Sequence, residues 1–195
     1  MILATRNAHK VTEVRAILAP LLPGGFVLEA VPGDLPEPVE DGATFAENAI
    51  IKATQVAREL GVPAIADDSG LCVDIMGGAP GVFSARWSGR HGDDAANLDL
   101  LLAQLADVKP EQRRARFVCA AALALPDGSV VVEEGQMRGT LRYERAGTGG
   151  FGYDPVFEAE GYGVTNAELS PEDKNAISHR ARAFAALAPH IAKIL

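Results

Sequence analysis

The sequence predicts an α/β fold built on a mixed β-sheet with flanking helices. In the first third of the chain, short apolar runs alternate with segments whose apolar residues recur at helical spacing, which is typical of strands joined by crossover helices. Further along, two apolar runs are separated by Pro126-Asp127-Gly128, a turn sequence that predicts an antiparallel hairpin. Because one chain carries both kinds of connection, the predicted sheet contains both parallel and antiparallel strands.

The amino-terminal part supplies the crossover elements. They are, in order, a strand at residues 1–5, a helix at 7–22, a strand at 26–31, a helix at 44–60, and two strands at 63–67 and 70–76. Asn7 is the expected N-cap of the first helix. Thr44 and Glu47 form a capping box that predicts the start of the second helix, and Gly61 predicts its end.

The carboxy-terminal part supplies the hairpin and the last helix. The predicted elements are a glycine-rich loop at residues 77–92, a short helix at 95–105, the hairpin strands at 116–125 and 129–137, and a helix over 170–195. Ser170 is the expected N-cap of that helix, and Pro171 suits its first position. Its apolar stripe consists of Ile177, Phe184, Leu187, Ile191 and Ile194.

Composition predicts a single globular domain, residues 1–195, since 195 residues can bury one sizeable core. The net charge of −8 opposes non-specific binding to nucleic acid. The apolar start of the chain is too short for a signal peptide or a membrane span, so we expect no membrane contact and a cytoplasmic protein. Cys72 and Cys119 lie in apolar runs without a CxxC pair, which favours small buried side chains.

The segment TRNAHK, from Thr5 to Lys10, lies between a predicted strand and a predicted helix. Backbone N–H groups and the helix dipole favour an anion at such a position, and Lys10 adds a full positive charge. The segment therefore predicts a phosphate-binding loop. Alternatively, Asn7 only caps the helix and Lys10 is solvated.

Asp67 and Asp68 follow an apolar run at the predicted carboxyl end of a strand, where open α/β sheets bind their ligands. Adjacent strand residues point to opposite faces, so one carboxylate would face a site. Neighbouring carboxylates resist burial unless a cation compensates them, and Mg²⁺ held by carboxylates and substrate phosphates would do so. Alternatively, the pair forms a simple turn with Ser69 and Gly70.

A third candidate segment is GTGGFGYDP, which contains G-x-G-x-x-G at Gly147, Gly149 and Gly152. A dinucleotide fingerprint requires a helix at the third glycine, and Pro155 with its aromatic and β-branched neighbours argues against one. We interpret the segment instead as a loop that presents Phe151 or Tyr153 to a nucleobase. A glycine-rich turn with core aromatics is the alternative.

The last candidate group is cationic. Lys174, His179 and Arg180 lie within a few residues of one another in an acidic protein, and Arg180 suits bidentate contacts to phosphate or to a base edge. A solvated helix face is the alternative. Taken with the phosphate-binding loop, the acidic pair and the aromatic loop, these residues predict a nucleoside phosphate bound with Mg²⁺.

The chain resembles the inosine triphosphate pyrophosphatase family in a set of ordered motifs. They are TRNAHK, GATFAENAIIKA, AIADDSGLCVD, GGAPGVFSAR, GTGGFGYDPVF, AEL and KNAISHR, and they span residue 2 to about residue 182. The resemblance implies Mg²⁺-dependent hydrolysis of ITP, dITP and XTP to the monophosphate and pyrophosphate. It also implies a homodimer whose subunits have an elongated central sheet and two lobes around a substrate cleft.

The resemblance also implies roles for individual residues. Asp68 would accept the proton of the attacking water and bind the metal, and Glu40 is the expected second metal ligand, with Asp41 as its substitute. Arg6 would contribute backbone contacts, because its position varies in the family. The implied substrate-binding residues are Thr5, Arg6, Asn7, Ala8, His9, Lys10, Ser69, Phe151, Gly152, Tyr153, Asp154, Lys174, His179 and Arg180.

Two competing functions stay open at this point. One is a pyrophosphatase of related fold that acts on pyrimidine nucleotides, which the His179 and Arg180 pair disfavours. The other is a nucleotide-binding regulator without catalysis, which the presence of both Asp68 and Lys10 disfavours.

Overall fold

The computed structural model describes all 195 residues, with the exception of the His9 side chain. The strands are β1 (Ile2–Leu3), β2 (Glu29–Ala30), β3 (Ala64–Val73), β4 (Arg114–Ala124), β5 (Val130–Leu141) and β6 (Phe157–Ala159). The helices are α1 (Ala8–Leu18), α2 (Phe45–Leu60), α3 (Asp94–Gln104), α4 (Pro171–Ile177) and α5 (His179–Ala192).

The strands form one six-stranded sheet in the order β2-β1-β3-β4-β5-β6. Strand β1 is parallel to β2 and to β3, and β5 is antiparallel to β6. At the predicted hairpin turn, the Leu125 N–H donates to the Ser129 carbonyl at 2.9 Å, and the Ser129 N–H donates to the Asp127 side chain at 2.8 Å. The predicted α/β fold with a mixed sheet is therefore confirmed.

The chain forms two compact units. Unit 1 consists of Met1–Asp68, Cys119–Gly135 and His179–Leu195, and unit 2 consists of Ser69–Val118 and Gln136–Ser178. Strands β3, β4 and β5 each contribute residues to both units. The single domain over residues 1–195 stays a prediction.

The core of unit 1 lies between helices α1 and α5 and the strands of this unit. Its largest buried side chains include Leu3, Leu18, Ile65, Phe184 and Leu187. Helix α2 begins as predicted, because the Thr44 side chain accepts the Glu47 N–H at 3.1 Å and the Glu47 carboxylate accepts the Ala43 N–H at 2.6 Å. It ends at Gly61, whose φ of 66° is the left-handed conformation that favours glycine.

The core of unit 2 packs α3 against its strands. Leu98, Leu101 and Leu105 pack with strand residues that include Phe117 and Phe157, whose ring centroids are 4.6 Å apart. Cys72 and Cys119 are both buried and free, as predicted. Of the helices in the described part of the chain, none is both long enough and apolar enough to cross a membrane.

Arg113 lies beside this core and is buried, with only 1% of its surface exposed. Its guanidinium donates to the carbonyls of Leu141 at 2.8 Å, Leu105 at 2.5 Å and Arg142 at 2.9 Å. Its charge also lies 4.1 Å from the centroid of the Tyr143 ring. One buried guanidinium therefore donates to three backbone carbonyls at once.

Replacing Arg113 with Lys is expected to lower the free energy of unfolding by about 2 kcal/mol, because one ammonium cannot reach three carbonyls in this fork geometry. Urea denaturation followed by circular dichroism measures this change. The matched control is Arg116→Lys, which alters a half-exposed ion pair with Asp74. Equal stability of the two variants would contradict this role of Arg113.

Two parts of the predicted secondary structure are wrong. The two strands expected at residues 63–67 and 70–76 form one strand, β3, that runs through Asp67 and Asp68, so the alternative turn is wrong as well. Cationic partners compensate both carboxylates, which removes the need for a loop there. The single helix expected over residues 170–195 is broken at Ser178, whose ψ of 150° is extended.

Candidate active site

The phosphate-binding loop predicted at residues 5–10 connects β1 to α1. The Asn7 side chain accepts the Lys10 N–H at 3.3 Å, which confirms Asn7 as a cap, and the Thr5 hydroxyl accepts the Asn7 N–H at 3.2 Å. Ala8 is exposed and is the first residue of α1. The prediction for the His9 side chain lies outside the described residues.

Lys10 is not simply solvated, because its ammonium is 3.3 Å from Asp67 Oδ2. Asp67 is 4% exposed and also accepts hydrogen bonds from Arg180, at 3.1 Å from Nε. Burial alone would raise the pKa of Asp67, but the charges of Lys10 and Arg180 outweigh it and hold this pKa well below its usual value. The carboxylate is therefore ionised and acts as the centre of a buried ion network.

Arg180 links that network to helix α1. Its Nη2 lies 3.0 Å from Asp67 Oδ2, and its Nη1 lies 2.9 Å from Glu13 Oε2. Burial alone would lower the pKa of Arg180, but the charges of Asp67 and Glu13 outweigh burial and hold this pKa above its usual value. Arg180 and His179 are 2% and 8% exposed, so the alternative of a solvated helix face is wrong for both.

Asp68 lies on the opposite side of the strand backbone and has different partners. Its Oδ1 is 3.1 Å from the Lys52 ammonium, and its Oδ2 accepts from the Asn48 amide at 3.2 Å. Lys52 and Asn48 are four residues apart on α2, so both side chains lie on one face of that helix. The two aspartates thus have different hydrogen-bond partners, and which of them faces a common site stays a prediction.

Glu40 shares the same lysine. Its Oε1 is 3.3 Å from the Lys52 ammonium, so Lys52 bridges the two carboxylates that we expected to bind a metal. Burial alone would lower the pKa of Lys52, but the negative charges of Asp68, Asp67 and Glu40 outweigh this effect. The net result is a pKa above the usual value, so the lysine is charged. Asp41, the substitute ligand, is exposed.

The chemistry of these carboxylates would suit a Mg²⁺ ion that substrate phosphates also bind. Among the residues whose side chains the structure describes, no group of three or more His, Cys, Asp or Glu could hold a metal on its own. Mg²⁺ is usually bound by one or two carboxylates together with substrate phosphates and waters. Asp68 and Glu40 provide such a pair of hard oxygen ligands, and both form ion pairs with Lys52.

Unit 2 carries the predicted aromatic loop, and Asp154 organises it. Asp154 is 3% exposed; its Oδ2 accepts the Phe151 N–H at 2.9 Å and the Lys174 ammonium at 2.5 Å, while its Oδ1 accepts from Asn166 at 3.2 Å. The Lys174 ammonium also lies 5.0 Å from the centroid of the Phe151 ring. Asp154, Lys174 and Phe151 thus form one cluster.

The two aromatic residues in this loop differ in their exposure to solvent. Phe151 is 53% exposed, whereas Tyr153 is buried in the core of unit 2 and donates its hydroxyl to the Ser84 carbonyl at 2.8 Å. Gly152 has a φ of 59° and donates its N–H to Asp94 at 2.9 Å. As predicted, no helix begins at this glycine.

Sequence reasoning missed several residues of the site. Lys52, Asn48 and Glu13 each contact a predicted site residue, and Asn166 supports Asp154. A usable signal existed for Lys52, which is a lysine on a face of α2 that is apolar apart from Asn48. Ser69, which follows Asp68 in β3, is half-buried, and its role stays a prediction.

The sheet and these two clusters define an α/β protein in which Lys10, in the first turn of α1, pairs with Asp67 and Lys52 pairs with Asp68. The model of the Ham1 family matches residues 1–190, so the chain belongs to the Ham1 family. This assignment confirms the resemblance that the ordered motifs predicted.

The most similar relatives include proteins with the name dITP/XTP pyrophosphatase. One from Streptomyces coelicolor is 61% identical over 196 residues, which cover 100% of this chain and 98% of that protein. One from Streptomyces avermitilis is 62% identical with the same coverage.

Solved structures with a similar fold confirm the architecture. The nucleoside-triphosphatase, or dITP/XTP pyrophosphatase, of Mycobacterium abscessus is 48% identical, with a TM-score of 0.80 over 97% of this chain and 98% of that chain. The Ham1 protein of Staphylococcus aureus is 34% identical, with a TM-score of 0.87 over 100% of this chain and 98% of that chain.

Proposed function

We propose that this chain hydrolyses the non-canonical purine nucleoside triphosphates ITP, dITP and XTP to the monophosphate and pyrophosphate. One observation carries the proposal: Asp68 and Glu40 share Lys52 in a chain that is more than 60% identical to a protein with the name dITP/XTP pyrophosphatase. Such a reaction would remove these nucleotides from the nucleotide pool.

In the proposed mechanism, Asp68 accepts the proton of the attacking water. The Lys52 and Asn48 side chains fix the orientation of this carboxylate, and a proton acceptor must be positioned in this way. Asp68 and Glu40 would hold Mg²⁺, which neutralises phosphate charge when bound. Both carboxylates form an ion pair with Lys52.

The triphosphate is assigned to the loop that precedes α1. Residues 5–10 lie at the amino end of this helix, where the helix dipole would favour the phosphates, and the Lys10 ammonium would add charge. The ion pair with Asp67 holds the Lys10 ammonium in place. Phosphoryl transfer depends mainly on such positioning and on charge neutralisation.

The base is assigned to Phe151, with Lys174 and Asp154 fixing the loop that carries it. An exposed phenylalanine backed by a lysine suits stacking on a purine. The contact of His179 and Arg180 with the oxygenated edge of the base stays a prediction. A hydrogen-bond donor there would pair with the 6-oxo group of hypoxanthine. It would have no acceptor in adenine, which carries an amino group at that position, and this difference would discriminate strongly between the two bases.

The proposal is tested by measuring pyrophosphate release from dITP, XTP, ITP, GTP, ATP and a pyrimidine triphosphate, each with and without Mg²⁺. We expect rapid release from dITP, XTP and ITP in Mg²⁺ and background release from ATP. Release from the pyrimidine nucleotide alone would support the related-fold alternative. Binding of ITP without release of pyrophosphate would support the regulator.

Replacing Phe151 with Ala is expected to weaken binding of ITP by about 1 to 3 kcal/mol, because one stacked base contact is lost. Calorimetry with a non-hydrolysable ITP analogue measures the affinity. The matched control is Phe83→Ala, since Phe83 is also 53% exposed and lies under a cationic side chain, Arg86. An equal affinity of both variants would remove Phe151 from the base site.

We also propose the homodimer and the cytoplasmic location that the resemblance and the chain's composition predicted. Light scattering coupled to size-exclusion chromatography measures the mass against that of the 20.5 kDa chain. The acidic net charge of −8 supports the further expectation that nucleic acid is not a partner.

A further inference from the structure

We propose that Arg6 is a positioning residue that ties the loop carrying Glu40 to the phosphate-binding loop. We define the Glu40 loop as residues 31–41. The inference rests on the proposed function, because Glu40 matters here as the expected metal ligand.

The Arg6 guanidinium contacts the Glu40 loop at three acceptors. Its Nη1 donates to Glu37 Oε1 at 3.0 Å, and its Nη2 donates to the Gly33 carbonyl at 3.3 Å and to the Leu35 carbonyl. All three acceptors lie more than twenty-five positions from Arg6 in the chain, so these are tertiary contacts. Because Arg6 lies between Thr5 and Asn7, its backbone belongs to the phosphate-binding loop.

The Glu40 loop needs such contacts, because it contains neither helix nor strand. Its prolines, Pro32, Pro36 and Pro38, have no N–H to donate. Two further side chains bind it from α2: the Gln55 amide donates to the Pro36 carbonyl at 3.0 Å, and Lys52 pairs with Glu40 itself. Arg6 contacts the Glu40 loop from another direction in the chain: it connects residues 33–37 of the Glu40 loop to the phosphate-binding loop.

The backbone carbonyls carry most of this contact. The side chains of Arg6 and Glu37 are 41% and 71% exposed, and an ion pair with that exposure contributes little. Two carbonyls bound by one planar guanidinium fix its direction, which a lysine ammonium would not reproduce. Loss of Arg6 should therefore loosen the loop more than loss of the Glu37 charge.

The consequence is a coupling between the two loops. A phosphate that orders residues 5–10 also orders Arg6, and through it the loop that presents Glu40. Glu40 would then be placed for the metal when the substrate is bound. Without Arg6, the protein should need more Mg²⁺ to reach the same occupancy.

Hydrogen exchange of residues 33–40 in Mg²⁺-free protein tests the contact, and the Mg²⁺ concentration that gives half-maximal pyrophosphate release tests its consequence. A calorimetric Mg²⁺ titration in the presence of inorganic pyrophosphate repeats the second measurement without turnover. The variants are Arg6→Ala, Arg6→Lys and Glu37→Gln. The matched control is Arg15→Ala, which removes an arginine on α1 that donates to the Leu28 carbonyl and is not bonded to the Glu40 loop.

For Arg6→Ala we expect faster exchange at residues 33–40 and a half-saturating Mg²⁺ concentration about threefold to tenfold above wild type. Arg6→Lys should restore little of either, Glu37→Gln should change both by less than about twofold, and Arg15→Ala should leave residues 33–40 unchanged.

Unchanged exchange in Arg6→Ala would overturn the proposal. Faster exchange with an unaltered Mg²⁺ requirement would also overturn it, because Arg6 would then be structural only. Failure of the proposed function is distinct, since it would appear as absent pyrophosphate release in the wild-type protein.

Discussion

Replacing Asp68 with Asn is expected to abolish pyrophosphate release from dITP, with a loss of about a thousandfold or more. Asparagine keeps the shape of the side chain and can still accept a hydrogen bond from Lys52. It cannot take a proton from water, and it is a much poorer ligand for a divalent cation. The fold should be retained, because Lys52 keeps Glu40 as a charge partner.

Steady-state kinetics of the purified variant measure this loss, and thermal unfolding checks that the fold is intact. Asp74→Asn is the matched control, because Asp74 is an exposed carboxylate in an ion pair with Arg116. That variant should retain wild-type turnover. Substantial turnover by the Asp68 variant would exclude this carboxylate from the mechanism.

Replacing Asp67 with Asn is expected to lower the free energy of unfolding by about 3 to 5 kcal/mol. The carboxylate is 4% exposed and lies between two cations, Lys10 and Arg180. Its removal takes from the buried Arg180 one of the two carboxylates with which it forms the described ion pairs, Asp67 and Glu13. A buried charge without sufficient compensation is among the most destabilising changes in a protein.

Urea denaturation measures the stability of this variant against Asp99→Asn, which removes an exposed ion pair with Arg145 and should cost less than about 1 kcal/mol. Adding Arg180→Met to Asp67→Asn should cost less than the two single changes combined, because the pair acts as one unit. A loss below about 1 kcal/mol in Asp67→Asn would show that the ion network does not stabilise the fold.

Local signals were enough to predict most of the helices. The capping box at Thr44 and the left-handed Gly61 bound α2 within a residue of the predicted ends, because both act through bonds between near neighbours in sequence. The cap at Asn7 and the turn at Asp127 were predicted for the same reason. Strand β6 escaped prediction because it has only three residues, which is too short a run for an alternating pattern to be recognised.

The acidic pair shows where local reasoning is insufficient. Asp-Asp-Ser-Gly has strong turn chemistry, yet it forms part of a strand of ten residues. Lys10, Lys52 and Arg180 compensate the two carboxylates, and they lie on three different helices, α1, α2 and α5. Propensity cannot reveal such partners, because they meet only after the helices have packed on the sheet.

The sequence by itself determined the fold class, the family, and the segments that carry chemistry, since these depend on periodicity, caps and ordered motifs. Tertiary structure alone decided which atoms face which: that Asp67 lies in a buried ion network, that Asp68 shares Lys52 with Glu40, and that Phe151 rather than Tyr153 is exposed. The physical reason is that charge compensation and burial are set by neighbours in space. Those neighbours exist only once strands and helices have come together.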